Sequence, residues 1–423
     1  MLIHVVQAGE TIYSIATQYG VNPARLMSDN GVGEDGALAV GQALVVLFPR
    51  VIHAVTEGDT LSSIARAYGI SLRQLYRNNY FLGGRDAVYP GNALVISYVS
   101  RPIGSIVTNG YAYPHIRRPT LQASLPYMTC LTPFTYGITA AGGLLPLQDG
   151  LLLSDAAAIG TTPLMHLSSI TETGDFSNAR STLILTNPAL QEPLIEEIIA
   201  TVTEKGYRGV DVDFEFVPPE EREAYAAFVA RLRERLAPLR LPVIVALAPK
   251  TYAGQKGLLY EAHDYALLGA AADFVFLMTY EWGYTYGPPM AVSPLPQVRS
   301  VLDYAVTEIA PEKILLGMPN YGYDWPLPFQ QGVTAARSIS NGTAVRLAID
   351  YGVEIQYDER AQAPCFRYTD RVGTAHEVWF EDARSTEAKL RLVAEYGFRG
   401  AGYWNLMRPF AQGWNVLNSL YNI

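Results

Sequence analysis

Lys205-Gly-Tyr-Arg-Gly-Val-Asp-Val-Asp-Phe-Glu-Phe-Val217 is the stretch of this 423-residue chain that decides its fold. In it, apolar residues alternate with Asp211, Asp213 and Glu215. A period of two is typical of a β-strand, so the three acids share one face and the apolar side chains share the other. Two arrangements remain open for such a strand. It is either half-buried with its acids in water, or it belongs to a parallel α/β barrel that covers both faces.

The sequence around this stretch favours the barrel, because apolar runs alternate with helical runs. The predicted strands are 105–109, 127–135, 163–169, 209–215, 242–248, 274–279, 314–318 and 400–404. Eight strands within residues 102–423 predict an α/β fold of the (β/α)8 TIM barrel type. The gap from about 320 to 384 is too long for an ordinary loop and contains three strand-like runs. We therefore expect a small β-rich insertion after strand seven, at the rim where such barrels hold their active sites.

The first hundred residues contain a repeat with an offset of 49. The pattern that starts His4-x-Val6-x-x-Gly9 and runs to Gly20 returns from His53 to Gly69. Each copy reads as strand, helix, helix, strand, and the match is too long to be chance. We predict two small βααβ domains at residues 1–49 and 50–98.

Both copies closely resemble the LysM module, which implies binding to N-acetylglucosamine-containing glycans such as peptidoglycan or chitin. The resemblance places glycan contacts in two loops of each copy, although each of these residues could also serve as a cap, a turn or a core residue. These candidates are Gly9, Glu10, Thr11, Ile12 and Asn30 in the first copy, and Gly58, Asp59, Thr60, Leu61 and Asn79 in the second.

Composition limits the other classes of function. The net charge is −9 and no basic stripe is present, which argues against nucleic acid as a partner. No apolar run is long enough to predict a membrane helix. The two cysteines, Cys130 and Cys365, lie in no metal-binding or disulfide pattern. The scattered histidines form no triad or metal site, and we expect no metal and no cofactor.

In a barrel interior the three acids of strand four would be crowded, and crowding raises the pKa of at least one of them. Such a protonated acid beside an ionised one is the arrangement that glycosidases use. Tyr280 and Glu281 end predicted strand six, and Trp404 ends strand eight. All of these side chains are expected on one rim of the barrel.

Residues 102–423 resemble the family 18 glycoside hydrolases. Asp211, Asp213 and Glu215 match the last three acids of that family's strand-four signature, Met278-Thr-Tyr280 matches its strand-six motif, and Trp404 matches its strand-eight tryptophan. With the LysM pair, the chain looks like the spore cortex-lytic and spore-coat glycosidases of endospore-forming bacteria. This implies N-acetylglucosaminidase action on cortex peptidoglycan.

The resemblance also implies substrate-assisted retaining catalysis, in which the acetamido group of the substrate is the nucleophile. Glu215 would be the general acid, Asp213 would orient the acetamide, and Asp211 would sit behind Asp213. Tyr280 would bind the acetamide carbonyl and Trp404 would form the floor under the sugar. Substrate contacts are also expected from Glu281, Met278 and Tyr136.

Two positions depart from the family pattern. Arg208 stands where the signature has its first acid, and Glu281 stands where an aspartate usually follows the strand-six tyrosine. We expect activity to survive the first change, and the longer acid could alter what the first sugar subsite accepts.

Two alternatives remain open at this point: a chitinase, and a non-catalytic glycan-binding protein of the spore coat or wall. The N-terminus shows no signal-peptide pattern, which favours deposition on the spore coat or cortex over export. Oligomeric state is left open.

Overall fold

The computed structural model describes residues 1–423, and its largest element is a closed parallel β-barrel. The third strand is split at Leu164, so that its first part pairs with strand two and its second part with strand four. Backbone hydrogen bonds of 2.9 Å from Tyr136 N to His166 O and from Ser168 N to Tyr136 O close the sheet. The strands in chain order are Val107–Ala112, Cys130–Pro133, Thr162–Pro163 with Met165–Ser168, Val210–Asp213, Val243–Leu247, Phe274–Leu277, Ile314–Pro319 and Gly400–Trp404.

Helices follow the strands and pack around the barrel, which confirms the predicted (β/α)8 fold. They are Arg118–Ser124, Gly150–Ile159, Asn178–Leu185 with Pro188–Lys205, Arg222–Leu236, Tyr265–Ala271, Leu295–Glu308, Ala383–Tyr396 and Ala411–Leu420. None of the helices is both long and apolar enough to cross a bilayer.

Strand four is covered on both faces, so the half-buried alternative is wrong. Val210, Val212 and Phe214 are fully buried under the surrounding helices, and Phe214 stacks on Tyr225 at 5.6 Å between ring centroids. On the other face, Asp211 is 0% exposed inside the barrel. The apolar side chains therefore anchor the strand to the outer layer, and the acids are left in the interior.

Strands four and six end earlier than predicted, at Asp213 and Leu277. Glu215 and Glu281 consequently lie in the loops that leave the barrel. Positive φ angles mark both departures, 58° at Phe216 and 68° at Glu281. Because non-glycine residues adopt this conformation only when their surroundings hold it, the turn at each site is strongly specified.

The insertion after strand seven is a five-stranded antiparallel sheet with one helix, as the fold prediction required. Its strands are Gly322–Pro326, Arg337–Ile339, Gln356–Asp358, Ala363–Thr369 and Ala375–Trp379, and its helix is Asn341–Asp350. It stands beside the carboxyl ends of the barrel strands, where it forms one wall of the rim.

The two N-terminal repeats are βααβ units, as predicted. The first contains strands Leu2–Val5 and Ala43–Val46 with helices Ile12–Tyr19 and Pro23–Asn30, and the second contains strands Pro49–Ala54 and Ala93–Tyr98 with helices Leu61–Ala67 and Leu72–Arg77. In each unit a buried asparagine ties the second helix to the last strand. Asn30 accepts from Val45 N and donates to Leu26 O and Val45 O, and Asn79 makes the same three bonds with Val95 and Leu75.

The two units are docked on each other and on the barrel by buried polar contacts. The guanidinium of Arg25 donates to Asn79 and Tyr98 of the second unit, and Asn415 of the last barrel helix donates to Asp29 O at 2.7 Å. Gly41, at φ 81°, lies so close to the insertion that a Cβ there would sit 1.8 Å from Ile355 O. Only glycine fits this approach, so the first unit packs against the insertion in a fixed position.

We expect Asn30→Ala to destabilise the first repeat by about 2–4 kcal/mol, because it leaves buried backbone groups of Val45 and Leu26 without partners. Urea denaturation and amide hydrogen exchange at Val45 measure this loss. Gln18→Ala, an amide truncation at an exposed position of the same unit, is the matched control. Equal stability of the two variants would contradict the structural role of Asn30.

Candidate active site

A pocket of about 510 Å³ opens at the carboxyl ends of the barrel strands. Aromatic and aliphatic side chains make up most of its wall, and its acids come from strand four and the loop after strand six. Its lining residues are Tyr111, Tyr113, Phe134, Thr135, Leu147, His166, Ile170, Gly174, Phe176, Asp213, Glu215, Ala246, Pro249, Leu259, Tyr260, Phe276, Met278, Tyr280, Glu281, Trp282 and Trp404.

Asp211 lies deepest of the three acids, below the floor of this pocket. Its Oδ2 accepts a 2.7 Å hydrogen bond from the hydroxyl of Tyr111, and its Oδ1 has no partner. Burial raises the pKa of Asp211 from its usual 3.8 to about 7, although the Tyr111 hydrogen bond opposes the shift. Near neutral pH this carboxyl is thus able to hold or release a proton.

Asp213 lines the pocket one step above Asp211. Burial, then the charges of Glu215 and Asp211, raise its pKa well above the usual range. Its Oδ1 is buried without a partner, and its Oδ2 lies 3.6 Å from Nε2 of His166. Because burial lowers the pKa of His166 to about 3, the ring is neutral and this contact is not an ion pair. Asp213 therefore lines the pocket and keeps one buried carboxyl oxygen without a hydrogen-bond partner.

Glu215 is the outermost of the three acids and lines the pocket. Burial, with a further contribution from the charge of Glu281, raises the pKa of Glu215 from 4.5 to about 7. The carboxylate of Glu281 is held across the pocket by the hydroxyls of Tyr321 and Tyr323. Glu215 is thus partly protonated near neutral pH, and it faces Glu281, whose own pKa is raised by burial.

Three predicted substrate contacts lie in the wall of the same pocket. Tyr280 and Met278 come from the end of strand six, and Trp404 comes from the end of strand eight. Trp404 packs against Phe134 at 4.9 Å and against Tyr111 at 5.8 Å between ring centroids. The indole is held in place by rings, and its remaining surface faces the cavity.

Tyr136 is not brought to this pocket, and its prediction as a substrate contact is wrong. Its side chain is 2% exposed, and its hydroxyl donates to Asp149 while accepting from Lys205 at 2.7 Å. The residue follows strand two, but its hydroxyl points away from the pocket and bridges the ion pair of Lys205 and Asp149.

The ten LysM candidates divide into two groups. Ile12 and Leu61 are each 1% exposed and belong to the module cores. The side-chain amides of Asn30 and Asn79 are occupied by the backbone hydrogen bonds described above. These four side chains are therefore not free to contact glycan. The other six lie on the surface of the loop that precedes the first helix of each copy. They are Gly9, Glu10, Thr11, Gly58, Asp59 and Thr60.

The surface loops are themselves strongly ordered. Glu10 accepts from Gln7 N and contacts the ring of His4, and Asp59 does the same with Thr56 N and His53. These bonds, from the backbone N–H first, lower the pKa of Glu10 and of Asp59. Thr11 and Thr60 cap their helices. If these side chains contact glycan, they do so in addition to ordering the loop or capping the helix.

Sequence reasoning missed several residues of the pocket, above all Tyr111 and His166. Tyr111 bonds Asp211 from strand one, and His166 approaches Asp213 from strand three while sharing a 2.6 Å hydrogen bond with Thr135. His166 could have been found by asking which residues of the strands next to strand four face the barrel interior. A polar residue aligned with Asp211 in the adjacent strand must also point inward.

The arrangement suits acid–base chemistry on a neutral ligand with an apolar face. It has a protonated acid, an adjacent carboxyl with a free oxygen, and an aromatic floor. No cluster of three or more histidine, cysteine, aspartate or glutamate side chains is arranged to hold a metal ion. Arg208 lies exposed at the opposite end of strand four, away from these groups.

The chain belongs to the glycosyl hydrolases family 18, whose profile matches residues 164–408, and it is a glycoside hydrolase. LysM domains match at residues 4–46 and 53–97, and both domain types indicate binding to peptidoglycan or chitin-like glycans of N-acetylglucosamine.

The chain is similar over its full length to three characterised proteins. It is 39% identical to the cortical fragment-lytic enzymes of Bacillus cereus and Bacillus subtilis, with coverage of 100% of this chain and 98% and 99% of theirs. The crystal structure of the spore cortex-lytic enzyme SleL from Bacillus megaterium superposes with a TM-score of 0.83 at 38% identity, covering 100% of this chain and 98% of that one. These similarities indicate association with the spore cortex or cell wall.

We expect Glu281→Gln to lower the pKa of Glu215, because it removes a negative charge that raises it. If Glu215 must be protonated to act, activity is lost as pH rises through its pKa. The alkaline limb of the kcat/KM profile therefore moves to lower pH, and Glu312→Gln, at an exposed position remote from the pocket, leaves it in place. An unmoved or upward-shifted limb in the Glu281 variant would contradict the electrostatic coupling.

Asp211→Asn should change the pH dependence of stability. The folded pKa of Asp211, about 7, exceeds its unfolded value near 3.8, so its contribution to stability is present at low pH and is lost as pH rises through 7. Asparagine removes this dependence. Relative to wild type, the variant should gain about 2–3 kcal/mol between pH 5 and pH 8 in urea denaturation. The same difference in stability at both pH values would rule out the raised pKa.

Proposed function

We propose that this protein hydrolyses N-acetylglucosaminyl bonds in spore cortex peptidoglycan by substrate-assisted retaining catalysis. The single observation that carries the proposal is the row of buried acids on strand four. It ends in Glu215, with a pKa raised to about 7, and has Asp213 beside it with an unpartnered oxygen. The cortex as substrate is supported by full-length similarity to enzymes that are named for lysis of that polymer.

Catalysis begins when Glu215 donates its proton to the glycosidic oxygen as the bond to the anomeric carbon breaks. The carbonyl oxygen of the substrate's own 2-acetamido group attacks that carbon and forms an oxazolinium ion. Water then attacks the same carbon on the face left by the leaving group, and Glu215 takes its proton. The two displacements restore the original configuration and return Glu215 to its starting state.

Asp213 supports the acetamido group during this cycle. Its free Oδ1 accepts the acetamido N–H, which aims the carbonyl oxygen at the anomeric carbon and stabilises the positive charge that develops there. Asp211 and the neutral ring of His166 lie behind it. Because adjacent buried carboxyls do not all ionise readily, Asp211 and Asp213 carry at most one negative charge between them, and the charge of Asp213 favours the protonated form of Glu215.

Tyr280 and Trp404 complete the sugar site. The Tyr280 ring lies in the pocket wall beside the acids, where its hydroxyl donates to the acetamide carbonyl. The indole of Trp404 is the apolar floor on which a pyranose ring packs. Met278 fills the wall next to Tyr280, and Glu281 limits the first subsite with a longer side chain than the family pattern has.

The LysM pair anchors the enzyme on the insoluble glycan, and we place the protein at the spore cortex and coat. Anchoring raises the effective concentration of the catalytic site on the polymer without changing its chemistry. The buried contacts of Arg25 and Asn415 support an anchor of fixed orientation, in contrast to modules on a flexible tether.

Glu215→Gln tests the assignment of the general acid. We expect kcat to fall by about 10²–10⁴-fold, because the amide cannot protonate the leaving group, while the fold and glycan binding are retained. Glu220→Gln, an exposed glutamate five residues further on, is the matched control and should keep full activity.

Purified cortex peptidoglycan and chitin oligomers are the substrates, and mass spectrometry of released reducing ends is the readout. Fragments from cortex that end in reducing N-acetylglucosamine, and that disappear in the Glu215 variant, are the expected result. Cleavage of chitin alone would make the protein a chitinase. Full activity of Glu215→Gln would refute the mechanism.

A further inference from the structure

A second cavity, of about 420 Å³, lies outside the catalytic pocket and shares none of its lining residues. It forms where the loop Gly31–Ala37 of the first LysM module meets the insertion helix Asn341–Asp350 and the starts of the last two barrel helices. Of the residues of the first module that were predicted to bind glycan, Asn30 belongs to its wall and Gly9 to Ile12 do not.

Two buried polar atoms in the wall of this cavity have no partner. They are Nδ2 of Asn341, a residue 4% exposed, and Oε1 of Glu381, a residue 2% exposed. Buried polar groups are almost always satisfied in folded proteins, so an adjacent donor and acceptor left free require an explanation.

The orientation of both groups is fixed by their other bonds. Oδ1 of Asn341 accepts from Glu381 N at 3.0 Å, which turns the Asn341 amide N–H₂ to the free side. Oε2 of Glu381 accepts from Ser385 and from Lys389, at 2.6 and 2.8 Å, so Lys389 balances the charge and Oε1 remains available. The pair is therefore a fixed donor beside a fixed acceptor.

A secondary amide is the group that complements such a pair. Its N–H donates to Glu381 and its C=O accepts from Asn341. The charges of Glu381 and Asp35 in the wall are already balanced by Lys389 and Arg346, so the cavity offers no uncompensated charge to a bare ion. Helices beginning at Asn341, Ala383 and Ala411 direct the positive ends of their dipoles at the cavity, which favours a carbonyl oxygen there.

The remaining wall fits the rest of an acetamido sugar. Tyr80, Phe380 and Phe410 supply an apolar surface for a methyl group and a pyranose face. Gln42 and Thr343 supply polar groups within reach of the same space.

We propose that this cavity is a second saccharide site, which binds one N-acetylhexosamine residue of the glycan between the first LysM module and the catalytic domain. The inference rests on the proposed function for the identity of the polymer. It assigns Asn341 and Glu381 as the residues that recognise the acetamido group, outside both the catalytic pocket and the loop that precedes the first helix of each LysM module.

A recess of about 270 Å³ lies on the rim beside the catalytic pocket. Its near side is lined by Tyr113, Glu281 and Trp404, which it shares with the catalytic pocket. Its far side is lined by Ser338 and Arg408, whose side chains are hydrogen bonded to each other at 3.0 Å. Ser340 and Pro409, in the wall of the second cavity, lie two residues after Ser338 and one residue after Arg408. The recess therefore ends close to the second cavity along the chain, although the two share no lining residue.

Hydrogen–deuterium exchange with mass spectrometry tests the proposal on the full-length Glu215→Gln protein, which does not consume its ligand. Tetra-N-acetylchitotetraose is the probe, and cellotetraose, which carries hydroxyl groups in place of the acetamido groups, is the chemical control. Peptides that cover 338–350 and 380–386 report on the cavity, and peptides that cover 210–217 report on the catalytic pocket.

Gly342→Leu fills the cavity without disturbing the fold, since a Cβ at this helical glycine meets only Ser340 Oγ at 4.0 Å. Gly150→Leu is the matched control, at a glycine in the first turn of another helix with nothing within 4 Å. Asn341→Ala is a second variant, which removes the amide donor.

The acetylated probe should protect both sets of peptides, and cellotetraose should leave the cavity peptides unprotected. Gly342→Leu and Asn341→Ala should abolish protection at the cavity alone, while Gly150→Leu changes nothing. Protection of the catalytic peptides without the cavity peptides would overturn this inference and leave the proposed function standing. Equal protection of the cavity by cellotetraose would overturn the acetamido assignment.

Discussion

The burial of Asp211 and Asp213 on one strand of a closed barrel, with Glu215 just beyond its end, is the constraint on which the rest of this structure depends. Val210, Val212 and Phe214 are buried against the helix layer, and this forces Asp211, Asp213 and Glu215 to the interior side. Water cannot reach Asp211, so its charge is costly and its proton is retained until about pH 7. Tyr111, His166 and the pair Tyr321–Tyr323 are placed around the acids and their neighbour Glu281, where they set which carboxyl is ionised.

Much of the fold and the centre of the site could be predicted from sequence, because both depend on local periodicity. The alternation of strand four gave the correct inward face for its acids, and the motifs placed Tyr280 and Trp404 on the correct rim. The prediction that Tyr136 contacts substrate was wrong. Its position at a strand end does not determine where its side chain points once the chain bends into the helix layer. Tyr111 and His166 were missed because their roles depend on which strands are neighbours, and a single sequence does not display that pairing.

The LysM modules show the same division between local and tertiary information. Their repeat predicted the βααβ units, yet the pattern that identifies the module includes residues that build it as well as residues that face solvent. Asn30 and Asn79 occupy equivalent positions because each joins the second helix of its module to the last strand by buried hydrogen bonds. The docking of the first module on the insertion, through Gly41 and Ile355, has no sequence signature of its own. It creates the cavity at Asn341 and Glu381, between the first module and the insertion.

Carbon-13 NMR titration of the side-chain carboxyls, assigned with single Asn and Gln variants of the three acids, tests the central claim most directly. The account predicts that Glu215 titrates near pH 7, and that Asp213 titrates well above the usual range for an aspartate. Asp211 should release its proton near neutral pH. Ionisation of all three carboxyls below about pH 5, the ordinary range for exposed acids, would contradict the account, because strand four would then hold three solvated charges and no proton donor.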